Sequence, residues 1–181
     1  MTTFLKSRQL YEASILAYQG EQLYLEENKG QMTSDTPFAI ASISKLYTDA
    51  IVFQLIDQGK LTYDTSLTDI LPPEMTKHLP QAEQVTVRHL LDQISGFPNY
   101  EMDRQTNGKV LIDDLYKADR RVAFEEALEM IAELPAGSCL DGDKAYYADI
   151  NAMLLGKMAE TVTGQTAEQL LEHLYLPAAS A

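Results

Sequence analysis

Cysteine is almost absent from this sequence. Its 181 residues hold one, Cys139, so no internal disulfide can form and no cysteine-based metal site can be built. Basic residues are scarce as well. Against 27 Asp and Glu stand 14 Lys and Arg, a net charge of -13. No basic stripe exists to neutralise phosphates, which excludes nucleic acid as a partner. The acidic positions are spread over many short stretches and read as solvated surface. No run approaches the roughly 20 apolar residues that a membrane span requires. The three histidines, His78, His89 and His173, lie far apart without ligand spacing, so neither a metal nor another cofactor is expected. Met1-Thr2-Thr3-Phe4-Leu5-Lys6 lacks the charged-then-apolar layout of a signal peptide. Such a chain is either cytosolic or one whose leader has been removed, and the sequence leaves the compartment open.

What remains is the composition of an ordinary globular domain, 45% hydrophobic and 23% charged. The length suits a single domain, residues 1–181. Ser14-Ile15-Leu16-Ala17-Tyr18 and Gln22-Leu23-Tyr24-Leu25-Glu26 read as two strands around a turn at Gly20, with Leu23 and Leu25 on one face. After Pro37 the pattern turns helical. Residues 42–58 are apolar on most sides (Ile43, Leu46, Ile51, Phe53, Leu55), which predicts a buried helix closed by Gly59. Leu71-Pro72-Pro73 reads as a loop. Thr86 caps a short helix carrying Val87, Leu90 and Leu91, closed by Gly96. Further helices are expected over 122–134, stopped by Pro135, over 151–162, stopped by Gly164, and from Thr166, where Gln169 completes a capping box. The polar stretch 100–117 has no clear periodicity. A lone hairpin is marginal in water and normally belongs to a larger sheet, so two strands before a long helical body make an unbalanced architecture.

Phe38-Ala39-Ile40-Ala41-Ser42-Ile43-Ser44-Lys45 holds the chain's Ser-x-x-Lys. With Ser42 opening the helix, Lys45 lies one turn on, on the same face. A serine hydroxyl needs a base to become a nucleophile. A lysine serves only if desolvation or a neighbouring cation lowers its pKa. A helix N-terminus also presents amides where an oxyanion would develop. Alone the pair is weak: nine Ser and nine Lys give about half a match by chance, and a helix cap beside an extended lysine is the better reading of the motif in isolation.

The flanking residues are more specific. The segment 38–45, followed by Gln54-Leu55-Ile56-Asp57-Gln58-Gly59-Lys60-Leu61, Ile70-Leu71-Pro72, Val85-Thr86-Val87-Arg88-His89-Leu90-Leu91 and Ser95-Gly96-Phe97-Pro98, resembles the class C β-lactamase and penicillin-binding-protein-like serine hydrolases, in the same order. Tyr147-Ala148-Asp149-Ile150-Asn151 resembles that family's Tyr-x-Asn box. Gln93-Ile94 departs from the usual His-Thr, read here as a packing change outside the chemistry. The resemblance covers about residues 10–177. It implies an α+β fold, the antiparallel sheet flanked by helices plus helical lobe of penicillin-recognising enzymes, with only the N-terminal hairpin and the lobe present.

By the same resemblance Ser42 is the nucleophile, and Lys45 and Tyr147 move protons. Asp149 stands at a substrate-binding position where Asn is commoner; it exchanges an amide donor for an acceptor. A phenol of pKa about 10 is a poor base unless a cation such as Lys45 stabilises its phenolate. The implied reaction is acyl transfer from amide, ester or β-lactam substrates, and the implied location is extracytoplasmic. His89 and Cys139 read as structural. The family's third motif, Lys-Thr-Gly or His-x-Gly on a later strand, is not found before Ala181. A catalytically incomplete domain with a binding role is therefore the alternative, and a homo-oligomer or a complementing chain is expected.

Overall fold

A computed structural model describes residues 3–118, 120–137, 140 and 144–175. Cys139 and the stretch from Leu176 to Ala181 lie outside the described residues. The chain divides into two compact units, Met1–Ala41 and Ser42–Ala181.

The first unit is a hairpin of β1 (Ala13–Gln19) and β2 (Gln22–Lys29), paired antiparallel from Ala13 opposite Lys29 to Gln19 opposite Gln22. Both strands run one to three residues longer than the apolar pattern suggests. The expected pairing of Leu23 and Leu25 on one covered face does not hold. Ala17 faces Leu25 while Tyr18 faces Leu23, so Tyr24 is an extra residue in a bulge. The bulge reverses the alternation, and Leu23 is exposed where Leu25 is half-buried.

The second unit is helical: α1 (Ser44–Asp57), α2 (Leu67–Ile70), α3 (Pro73–Thr76), α4 (Val87–Leu91), α5 (Leu111–Leu115), α6 (Phe124–Ala132), α7 (Asp149–Thr163) and α8 (Ala167–Tyr175). Helix α7 is the axis, packed against α1, α2, α4 and α8. Its Ile150, Leu154, Leu155 and Met158 are fully buried. Each such side chain contributes about 1.5–3 kcal/mol of transfer free energy. Val52 and Leu55 of α1, Val87 and Leu90 of α4, and Ile131 of α6 complete the same core.

The helix ends follow local chemistry. Gly59 and Gly164 close α1 and α7 at φ +70 and +68, a conformation that L side chains rarely adopt. Beyond Gly59, the Lys60 amide donates to the Leu55 carbonyl at 2.9 Å, completing a Schellman turn. Thr86 caps α4 through a reciprocal pair with His89, whose Nδ1 lies 2.9 Å from the Thr86 amide. Thr166 and Gln169 form the same box at α8.

Three expectations change. Helix α1 is buried on one side only: Ile51, Val52 and Leu55 are covered, while Leu46 is 66% and Phe53 45% exposed. Helix α4 stops at Leu91, because Gln93 and not Gly96 is the first residue to turn left-handed. Pro73, expected in a loop, is the first residue of α3, where its missing N–H costs nothing. Among the described residues no helix is long and apolar enough to cross a membrane, and no cluster of acidic, His or Cys side chains could hold a metal ion.

Candidate active site

Ser42 sits in a single 3-10 turn, Ala41–Ile43, that runs directly into α1. One turn on, Lys45 reaches back along the same face. Its Nζ donates to Ser42 Oγ at 3.1 Å. The spacing is set by the helix and requires no tertiary contact.

Tertiary structure supplies the rest. Tyr147 lies in the extended segment before α7, and Asp149 is the first residue of that helix. There its oxygens meet the positive end of the helix dipole. The packing of α7 on α1 brings these residues to Ser42 across 105 positions of sequence: Tyr147 Oη is 2.9 Å from Ser42 Oγ. Tyr147 Oη is also 3.2 Å from Asp149 Oδ1, and Lys45 Nζ is 2.6 Å from that same carboxylate oxygen. The ammonium also lies 5.2 Å from the centroid of the Tyr147 ring.

A phenol has one proton, so it cannot donate to Ser42 and Asp149 at once. Asp149 only accepts. With the phenol proton on Asp149, the phenol oxygen is free to accept from the serine hydroxyl. The four side chains thus form a continuous path from Ser42 to Tyr147 to Asp149, with Lys45 donating at both ends. Ser42 is exposed and Tyr147 is 47% exposed, so a reacting group can approach from solvent. Asp149 and Lys45 lie deeper, with side chains 10% and 20% exposed.

Burial draws the Lys45 pKa down, but hydrogen bonds and charge attraction from Asp149 and Tyr147 outweigh it, and the net shift is upward. Lys45 is therefore an ammonium at neutral pH. Nearby Glu101 is held above the usual carboxylate range, by burial first and then by the Asp149 charge.

A second layer holds the Tyr147 segment from behind. The side-chain amide of Asn99 donates to the Tyr147 carbonyl at 3.2 Å, and the Asn99 amide N–H donates to Asp103 Oδ2 at 2.8 Å. Asp103 in turn accepts from the Tyr146 hydroxyl. Burial and the Asp103 charge push that phenol up to about 12, so it stays a donor. Ser95 Oγ donates to Asn151 Oδ1 at 2.7 Å. Gly137 closes the layer by close approach: a Cβ there would meet the Tyr146 ring at 2.5 Å and the Phe97 carbonyl at 2.6 Å.

A profile of the beta-lactamase family matches residues 1–178. The chain belongs to the beta-lactamase family. It is 31% identical over 160 residues to a putative D-alanyl-D-alanine carboxypeptidase of Escherichia coli (strain K12), covering 84% of this chain and 35% of that protein. It is 28% identical over 147 residues to penicillin-binding protein 4 of Amycolatopsis lactamdurans, covering 81% and 35%. Among solved structures, a D-stereospecific amidohydrolase from Streptomyces sp. superposes with a TM-score of 0.72 at 21% identity, over 90% of this chain and 47% of that one. A D-amino acid amidase from Ochrobactrum anthropi SV3 gives 0.70 at 23% identity, over 91% and 44%. These structures share the penicillin-binding-protein fold, to which the hairpin and helical lobe conform. The chain spans about a third of the length of the curated relatives it matches.

In this beta-lactamase-family chain the four residues singled out by sequence, Ser42, Lys45, Tyr147 and Asp149, converge within hydrogen-bonding distance. Sequence reasoning missed the supporting set Ser95, Asn99, Asp103 and Asn151, and read Gln93 as a packing change outside the chemistry, whereas its side-chain oxygen accepts from the Ala148 amide and Asn151 Nδ2. Three of these, Ser95, Asn99 and Asn151, are buried polar side chains, which a single sequence does not distinguish from surface ones. The one available signal was Asn99 and Asp103 four apart after a Ser-Gly-x-Pro turn, a spacing suited to side-chain-to-backbone bonds.

Proposed function

We propose that the chain carries the reacting groups of a serine hydrolase that works through an acyl-enzyme. One observation supports this best: Ser42 Oγ has Lys45 Nζ at 3.1 Å and Tyr147 Oη at 2.9 Å. Ser42 attacks a carbonyl carbon and forms the new C–O bond. Its proton passes to the Tyr147 oxygen while the phenol proton moves toward Asp149 Oδ1. Lys45 remains an ammonium throughout and offsets the negative charge that develops on Ser42 as its proton leaves. Collapse of the tetrahedral intermediate breaks the bond to the leaving amine or alcohol, which takes its proton from Tyr147 as the proton on Asp149 returns to the phenol. Water then repeats the sequence and releases the acid.

The acyl donors we assign are D-amino-acid amides or peptides, with short esters and β-lactams as further candidates. The relatives whose names specify D-alanyl-D-alanine, D-amino-acid and D-stereospecific amide chemistry support this choice. Asp149 lies beside Tyr147 and Lys45, and as an acceptor it would favour donors that present an N–H or ammonium over those that present a carbonyl. The test is a fluorophosphonate or β-lactam probe followed by mass spectrometry of the adduct. Label on Ser42 is expected; label on Ser44 or Tyr147 overturns the assignment.

A second reading is a catalytically incomplete domain with a binding role. The observation favouring it is coverage of about a third of the length of the curated relatives.

A further inference from the structure

We infer that Gln93, through the oxygen of its side chain, is a positioning residue for Tyr147. The inference rests on the role proposed above for Tyr147. Three acceptor contacts carry it. The Gln93 main-chain carbonyl accepts from the Tyr146 amide at 2.8 Å. Its side-chain Oε1 accepts from the Ala148 amide at 3.0 Å and from Asn151 Nδ2 at 2.8 Å. One residue therefore holds the backbone on both sides of Tyr147 and ties it to the first turn of α7.

The arrangement demands this side chain. Oε1 has two lone pairs and both are used. Asn would be one methylene short of the same point. The orientation of the Asn151 amide is fixed from its other side, since Ser95 Oγ donates to Asn151 Oδ1 at 2.7 Å, leaving Nδ2 to face Gln93. The backbone of Gln93 is held left-handed at φ +58, a conformation that side chains other than glycine rarely adopt. That turn ends α4 and aims both carbonyls of Gln93 at the Tyr147 segment. A left-handed residue held by contacts that converge on a reacting group fits a positioning role.

Tyr147 Oη must keep its place between Ser42 and Asp149, and a shift of about 1 Å in a reacting group costs on the order of a hundredfold in rate. The test compares Gln93→Met, which keeps length and removes the acceptor, with Gln93→Glu, which keeps the accepting oxygen. Ser42 labelling by a fluorophosphonate is followed by mass spectrometry, and exchange of the Ala148 amide by hydrogen–deuterium exchange. Gln93→Met should slow labelling roughly 10- to 100-fold and speed exchange at Ala148, while Gln93→Glu stays near the parental rate. Labelling of Gln93→Met at the parental rate, or equal losses in both variants, would overturn the inference. Should Gln93→Met fail to fold, Gln93→Gly relieves the backbone and still lacks the oxygen; it must show the same loss, and parental labelling there is equally fatal. If Ser42 in the parent is not labelled at all, the proposed chemistry fails separately. Gln93 is then judged by Ala148 exchange alone, where an unchanged rate in Gln93→Met contradicts the role.

Discussion

One lysine nitrogen serves two partners, the Ser42 hydroxyl at 3.1 Å and the Asp149 carboxylate at 2.6 Å. The second contact decides what the first can do. Burial would favour a neutral amine, yet Asp149 and Tyr147 hold the Lys45 pKa above the ordinary lysine value. Asp149→Asn removes the charge that raises it. It also removes the proposed acceptor of the phenol proton, so Ser42 acylation should slow; the Lys45 pKa must fall, and the alkaline limb of the remaining rate should move to lower pH, which a stopped-flow series from pH 6 to 11 would read. An unmoved limb would separate Asp149 from Lys45. The same variant supplies an amide donor in place of an acceptor, so the ratio of cephalosporin to ester turnover should rise. An unchanged ratio would remove Asp149 from substrate recognition.

At the scale of elements, the pair Lys45–Asp149 joins the first turn of α1 to the first turn of α7. Removing one partner strands a largely buried charge. Lys45→Met should lower stability by roughly 3 kcal/mol, the low end for breaking a buried pair, because Lys45 keeps a fifth of its exposure. Adding Asp149→Asn should restore much of that loss in urea denaturation. Strict additivity of the two changes would mean that the pair does not couple these helices.

The long elements were legible because apolar spacing and terminating residues agreed: Gly59 after α1, Pro135 after α6 and Gly164 after α7 each stand within three residues of the observed helix end. Helices α2 and α3 were missed because four residues complete barely one turn and show no periodicity. The catalytic candidates were legible through local spacing, Ser42 with Lys45 and Tyr147 with Asp149, joined by the family resemblance. Gln93 was not. Its importance lies in a left-handed backbone and in contacts 53 to 58 residues away, neither of which its identity announces.

On the scale of the whole molecule, both strands of the hairpin have an unpaired edge among the described residues, and unpaired edges invite association. A polypeptide of these 181 residues alone is expected to associate and to hydrolyse esters poorly. In the family that it resembles a later strand carries an oxyanion donor, and losing one such donor costs about a hundred- to a thousandfold in rate. Light scattering with an ester-hydrolysis assay tests both halves; a monomer with full turnover that Ser42→Ala abolishes would refute them. The central claim is narrower, that Ser42 is the residue acylated. Incubation with a fluorophosphonate, proteolysis and mass spectrometry, alongside the Ser42→Ala variant, addresses it most directly. The account predicts one adduct, on Ser42, missing from the variant. An adduct that persists in Ser42→Ala, or that maps to Ser44 or Tyr147, would contradict it.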